Sequence, residues 1–206
     1  MRAVPGWLQM TRAVYDDLAP HYEAAMRPLE RWFLARWRAE VLDQLPAGAR
    51  LLEVGAGTGL NFRFYPGEAQ GVASELSCEM LKIAGAKPKP VGLSLVQNSA
   101  ELLPFKEDSF EAAFATLVFC SVASPAAAFA ELRRVIRTGG TVLLLEHVRP
   151  PGLLGSVFDL LSFFTTRLFA DHFNRRTADN ARAAGLEVLR VEQRFFGIFN
   201  LIVCRV

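Results

Sequence analysis

A short apolar run, residues 50–54, opens directly into the glycine turn Gly55-Ala56-Gly57-Thr58-Gly59. Glycine permits a tight turn and lets a ligand approach the backbone closely. The junction therefore reads as a buried strand feeding a binding loop, with a helix expected after it. The rest of the chain repeats this alternation. Strands are expected at 70–75, 93–97, 112–118 and 141–148, and helices at 79–85 and 125–137, the latter stopped by Gly139-Gly140. Upstream, Leu29, Trp32, Phe33, Trp37 and Val41 recur at helical spacing inside an expected helix at 15–45, which Pro46-Ala47-Gly48 breaks. Downstream, 153–184 reads as helical, and 186–193 and 196–206 as a closing pair of strands. Strands alternating with helices imply an open, mostly parallel sheet with helices on both faces. Ligands of such sheets bind beyond the carboxyl ends of the strands, so the residues just after each strand are the candidates for chemistry.

The composition narrows the class. A chain of 206 residues, 51% of them hydrophobic, is long enough to bury a substantial core. A formal charge of +2 lacks the basic excess of a nucleic-acid binder, so no nucleic-acid partner is expected. Cys78, Cys120 and Cys204 are scattered, form no CxxC and share no metal-ligand spacing with the histidines, so no metal is expected. They read as small buried hydrophobes in a reduced cytoplasm. The start, Met1 to Trp7, lacks a secretory apolar core. The most apolar later stretch, 153–169, contains Asp159 and Arg167 and is short for a membrane span.

Two details refine the glycine turn. Its spacing is GxGxG, and Leu60 stands where a dinucleotide fingerprint wants its third glycine or alanine. Glu53 sits just before it. A carboxylate there disfavours a pyrophosphate and suits a ligand carrying an ammonium and a sulfonium. S-adenosyl-L-methionine carries both, and its carboxylate can use amides of the turn. Glu75, at the end of the second strand, is placed to accept hydrogen bonds from ribose hydroxyls, which fits dinucleotides and adenosylmethionine alike.

LLEVGAGTGLN (51–61), GVASELSCEML (71–81), the run 99–122 and the run 130–148 resemble class I methyltransferases. The nearest likeness is to the subgroup of quinone-biosynthesis enzymes, phospholipid N-methyltransferases and methyltransferase-like thiol enzymes. Tyr15 to Tyr22 resembles their N-terminal helix. The resemblance implies a Rossmann-like, doubly wound, mostly parallel seven-stranded sheet with an antiparallel final strand. It implies one methyltransferase domain over 1–206: an N-terminal helical cover (1–45), a cofactor-binding core (50–148), and an apolar helical insertion with closing strands (149–206). By the same likeness Glu53, Gly55, Ala56, Gly57 and Thr58 would contact the methionine part, with help from Asn61. Glu75 would take the ribose, with Leu76 beside the adenine and Ala100 and Glu101 near its edge. Thr116, Leu117 and Val118 would floor the transfer site. The family commonly has Asp where Ser99 and Glu75 stand, which leaves the hydrogen bond to the adenine amine to Ser99 or to another group.

Methyl transfer is an in-line displacement that needs positioning and exclusion of water more than covalent help. His147 ends the fifth strand and is a candidate base or acceptor orienter; the alternative is a histidine satisfied by backbone. Tyr15 and Tyr22 are candidates to line the site. The N-terminal helix interleaves Arg27, Arg31, Arg36 and Arg38 with Trp32, Phe33 and Trp37, a pattern that suits the anionic inner face of a membrane or packing on the domain itself. The apolar 153–169 segment, from Leu153 and Leu154 through Val157, Phe158, Leu160, Leu161, Phe163 and Phe164 to Leu168 and Phe169, reads as a cover over an acceptor site or as core. The expected acceptor is a lipid amine, in the direction from phosphatidylethanolamine to phosphatidylcholine, with a quinone precursor or small thiol as the alternative. A nicotinamide-dependent oxidoreductase and a non-catalytic cofactor-binding module are the rivals from other classes. A dimer and a membrane contact both suit the apolar content.

Overall fold

The computed structural model describes residues 6–169, 172 and 174–206; the first five residues, and the side chains of Leu154, Leu161, Phe163, Phe164, Leu168 and Phe169 in the apolar segment, lie outside the described part. The β-rich runs form β1 (Arg50–Val54), β2 (Gln70–Glu75), β3 (Leu93–Gln97), β4 (Phe110–Thr116), β5 (Ile136–His147), β6 (Glu187–Arg194) and β7 (Phe199–Arg205). They make one seven-stranded sheet in the order β3-β2-β1-β4-β5-β7-β6. β1 to β5 pair in parallel, and only β7 runs against its neighbours β5 and β6. Period-two alternation sends consecutive residues to opposite faces. Thus Leu52, Leu144 and Ile202 face a core closed by α4 (Pro125–Val135) and α6 (Thr177–Ala183), while Leu51, Leu143 and Leu201 face one closed by α2 (Ala35–Leu42) and α3 (Cys78–Gly85). The doubly wound expectation holds. The strand order reverses between β1 and β4, which opens a crevice at their carboxyl ends.

Several boundaries differ from the expected ones for physical reasons. The N-terminal helix is α1 (Gly6–Leu29), then one π-helical turn at Glu30–Leu34, then α2. Pro28 withholds an amide just before the turn, and the wider spacing carries Glu30 inward, where it is buried. No α-helix follows the glycine turn; Phe62–Phe64 form a single 3-10 turn instead. α4 stops at Val135, and Gly139 and Gly140 lie inside β5 rather than ending a helix. The segment after β5 is two helices, α5 (Gly152–Phe169) and α6, not one. Among the described residues no helix is long and apolar enough to cross a membrane. Cys120 and Cys204 are buried and Cys78 is half-buried; burial pushes the Cys204 thiol up to about 11.

Between β6 and β7 the chain turns through Phe195 (φ 47°) and Phe196 (φ 58°) before Gly197 (φ 80°). The left-handed region costs a side-chain-bearing residue roughly 1–2 kcal/mol, and asparagine or glycine is the usual occupant of such hairpin turns.

Candidate active site

The crevice is a cleft, open to solvent, at the carboxyl ends of β1, β2, β3 and β4. Its floor is Val54, Gly55 and Gly57 from the glycine turn and Thr116, Leu117 and Val118 after β4. Ser74, Glu75 and Leu76 form one wall with Asn98, Ser99, Ala100 and Glu101. Thr11, Tyr15 and Tyr22 of α1 close over the top. α1 is fastened there by Asp16, which accepts from Ser77 Oγ at 2.5 Å and from Glu79 N at 3.2 Å at the start of α3.

The glycine turn is left-handed at Gly55, Gly57 and Gly59, with φ of 69°, 55° and 79°. A Cβ at Gly55 would strike Val118 at 2.4 Å, so glycine lets the two floor loops touch. A Cβ at Gly57 would meet no protein atom within 4 Å, so the backbone there is bare toward open space. Glu75 holds this turn: its Oε2 accepts from Gly57 N at 2.9 Å, and its Oε1 accepts from Leu76 N and Ser77 N at 2.8 and 2.9 Å. Burial nevertheless raises the Glu75 carboxyl above its ordinary range, against the pull of those amides.

Beneath the floor lies a chain of buried polar groups. Arg38 donates to Glu30 Oε1 at 2.9 Å, to Asn61 Oδ1 at 2.9 Å and to Thr116 Oγ1 at 2.6 Å. Asn61 Nδ2 donates to Glu53 Oε1 at 2.6 Å, and Tyr65 OH donates to Glu53 Oε2 at 2.8 Å. Glu53 is 0% exposed; burial raises its pKa, while Asn61, Tyr65 and the charge of Arg38 act the other way. The same phenol is pushed well above its ordinary range by its own burial and by Glu53.

The expected site residues separate cleanly. Tyr15, Tyr22, Gly55, Gly57, Glu75, Leu76, Ser99, Ala100, Glu101, Thr116, Leu117 and Val118 all line the cleft. Glu53, Ala56, Thr58 and Asn61 do not; they are buried behind its floor, and Glu53 is turned toward Asn61 and Tyr65 rather than into the cleft. His147 is also outside the lining. It packs against Phe158 and Phe199, each with centroids 5.7 Å away, and burial drops its pKa to about 4. Arg38, read from the sequence as part of a surface basic stripe, is 3% exposed and belongs to the buried network. Ser99 Oγ contacts Glu101, accepting from its amide at 3.2 Å and lying 3.1 Å from Oε2.

Asn98 and Glu146 were not among the expected site residues, and Leu117, which was, carries a strain that its sequence does not signal. Asn98 lines the cleft with both side-chain amide atoms buried and unpartnered among the described residues. Leu117 sits at φ 60°, strain of the kind that gathers at binding sites, with its amide donating to Leu145 O at 2.8 Å. Glu146, 0% exposed, steadies the same loop by accepting from Val118 N and Phe119 N, both at 3.1 Å. Its place at the end of β5 was a hint, but the sequence drew attention to His147 instead.

These residues fit S-adenosylmethionine. Glu75 offers a carboxylate where ribose hydroxyls would lie, Asn98 offers an unsatisfied amide on the wall beside it, and Gly57 leaves backbone bare for the methionine end. Among the described residues no cluster could hold a metal ion.

Comparison with known proteins agrees with the geometry. The family profile described as "Methyltransferase domain" matches residues 52–144. The chain is 34% identical over 141 residues to the demethylmenaquinone methyltransferase of Renibacterium salmoninarum, covering 67% of this chain and 59% of that one. It is 30% identical over 161 residues to the phosphatidylethanolamine N-methyltransferase of Cereibacter sphaeroides, covering 71% of this chain and 79% of that one. It thus spans less than two thirds of the quinone relative's length. A Thermotoga maritima structure described as a SAM-dependent methyltransferase, possibly acting on histamine, superposes with a TM-score of 0.73 at 22% identity, over 94% of this chain and 98% of that one, which shows the shared fold. The chain belongs to the class I S-adenosylmethionine-dependent methyltransferases, in a group that includes quinone-biosynthesis enzymes and a phosphatidylethanolamine N-methyltransferase.

Proposed function

We propose that this chain transfers a methyl group from S-adenosylmethionine to a lipid-soluble acceptor, with a prenylated quinone precursor as the first choice. The carrying observation is the cleft, which Glu75, Asn98 and bare Gly57 line together with Tyr15, Tyr22 and the strained Leu117. When bound, the cofactor supplies a methyl carbon already activated by its sulfonium. The chain's own part is to position and to dry the site. Glu75 orients the ribose, Asn98 and Ser99 read the adenine edge, and Gly57 admits the methionine end. Glu53 acts indirectly, accepting from Asn61 and Tyr65 beneath the floor and so fixing Asn61. Tyr15 and Tyr22 hold the acceptor against Leu117 and Val118 and shut out water. His147 stands behind this surface as a packing residue.

The acceptor choice is supported by the names of the relatives, several of which are quinone or demethylmenaquinone methyltransferases. A lipid amine, expected first from the sequence, is the second reading; it is supported by the phosphatidylethanolamine enzyme, whose length this chain covers more fully. Both acceptors live in membranes, and peripheral contact through the N-terminal helix suits either. The test is release of S-adenosylhomocysteine with a panel of detergent-dispersed prenylated quinols, phosphatidylethanolamine vesicles and small thiols. Turnover on a quinol is expected. Turnover on phosphatidylethanolamine alone selects the second reading, and cofactor binding with no turnover on any acceptor overturns both.

A further inference from the structure

We infer that the rim around the acceptor side of the cleft is a docking surface for a bilayer carrying anionic lipid, with the β6–β7 turn as its inserted tip. The inference rests on the lipid-soluble acceptor proposed above and adds the surface that would deliver it. Phe196 is 82% exposed and Trp32 72%, although large aromatic side chains are ordinarily buried. The turn that displays Phe195 and Phe196 holds both in the left-handed region, where a purely connecting turn would be more stable with asparagine or glycine. Two aromatics kept out of the core in a strained turn indicate a role outside the domain's own packing.

Phe33, Phe195 and Phe196 form one packed cluster at the site's edge of the sheet, with Trp32 beside Phe33 in the chain. Phe195 packs on Phe33 with centroids 5.2 Å apart and on Phe196 at 5.6 Å. Gly197 lies close against Pro151, where an added Cβ would meet the proline ring at 2.8 Å. That contact brings in the first turns of α5, whose Leu153 and Val157 are 89% and 59% exposed. Inward, Phe33 stacks on Trp37, Trp37 meets Phe199, and Phe199 meets His147 at the end of β5. β5 in turn anchors the strained cleft loop, through Leu145 O and the Glu146 carboxylate. The surface is therefore coupled by direct packing to the acceptor side of the cleft.

Charge selects the partner. Arg27 and Arg31 are exposed on the helical segment that carries Trp32 and Phe33, and the Arg31 guanidinium sits over the Trp32 ring at 5.9 Å. Nearby acids are already engaged: Glu30 with Arg38 and Arg63, Glu40 with Arg36 and Arg194. Basic residues beside exposed aromatics match a phosphate-rich interface, with the rings in the acyl boundary and the guanidinium groups among the headgroups.

The test is co-sedimentation of the full chain with vesicles of phosphatidylcholine, with and without phosphatidylglycerol, for wild type, Phe196→Asn and Trp32→Ser. Wild type is expected to partition onto the phosphatidylglycerol vesicles, and each variant to bind about fivefold more weakly or worse. Phe196→Asn relieves strain, so its melting temperature should hold or rise, and its S-adenosylhomocysteine affinity should be unchanged; a merely structural role would lower the melting temperature. Wild type that stays in the supernatant, variants that partition like wild type, or a wild-type dimer that dissociates in Phe196→Asn without vesicle binding would each overturn the docking surface. Transfer to a detergent-dispersed acceptor reports separately. If transfer persists while docking fails, the acceptor reading survives; if docking holds while transfer fails, the acceptor reading falls.

Discussion

Arg38 decides how the N-terminal cover is joined to the rest of the molecule. It is a buried guanidinium with Glu30 on one side and Asn61 and Thr116 on the other. Removing one partner of a buried ion pair leaves the other charge uncompensated, at a cost of about 3–5 kcal/mol. Arg38→Met is therefore expected to lose about 3 kcal/mol in urea unfolding, toward the low end because Arg63 lies 3.7 Å from Glu30. The double variant Arg38→Met, Glu30→Leu should recover much of that loss. His147 gives a second expectation. Its pKa of about 4 in the fold lies below the ordinary value of 6.5, so the unfolded chain binds its proton first as the pH falls. Above 6.5 the two states are equally deprotonated and His147 contributes no pH dependence. Stability should then decline from 6.5 toward 4 by about 3 kcal/mol, and His147→Phe should flatten that part of the profile. Neither residue's environment was legible in the sequence. Arg38 carries the spacing of a surface stripe, and only the π-helical turn, invisible to a period of 3.6, brings Glu30 round to meet it. His147 looked functional because it ends a strand at the active edge, yet rings from two distant elements enclose it.

At the scale of elements the strands are legible, because short runs rich in Leu, Val and Ala between glycine, proline and polar residues leave little choice. β1, β2 and β3 begin and end where the pattern put them. The helices were less legible. Pro125 marks the start of α4, but its end is set by pairing: Ile136 joins Phe110 in the sheet before the glycine pair is reached. The glycine turn likewise promised a helix, and the bulk of Phe62 and Tyr65, packed together under the floor, is accommodated by a single 3-10 turn. One glycine outside the binding turn controls strand spacing. Gly71 has φ 147°, and a Cβ there would fall 1.9 Å from Leu51 O across the β1–β2 pairing. Gly71→Ala is expected to destabilise by about 2–3 kcal/mol in denaturant unfolding and to weaken cofactor binding, since β1 and β2 carry the glycine turn and Glu75. The cofactor affinity separates this reading from simple loss of stability, because it is measured on the folded fraction.

The whole molecule is a sheet edge with a lid. The cleft residues come from α1, the glycine turn and the ends of β2, β3 and β4, so ligand binding ties distant parts of the chain together. A ligand that binds only the folded state at one hundred times its Kd adds about 2.7 kcal/mol. For a chain of this size that is roughly 5–10 °C in melting temperature, checked by thermal unfolding with S-adenosylhomocysteine. The cofactor side of this architecture was legible, because a strand, a glycine turn and a second acid lie in order along the chain. On the acceptor side Tyr15, Tyr22 and Leu117 were legible as candidates, but Phe195 and Phe196 were not, because only packing between elements far apart in sequence joins their turn to Phe33.

The most direct measurement is calorimetric titration of S-adenosylhomocysteine and of NADH into wild type and Gly57→Val. Gly57 faces the cleft and a side chain there would enter open space rather than the core, but valine at its φ of 55° is strained, so circular dichroism and urea unfolding first establish that the variant is folded before its cleft is read as blocked. The account predicts one S-adenosylhomocysteine site in wild type, loss of that site in Gly57→Val, and no heat from NADH. Equal binding of S-adenosylhomocysteine to the two proteins, or competition by NADH for its site, would contradict it.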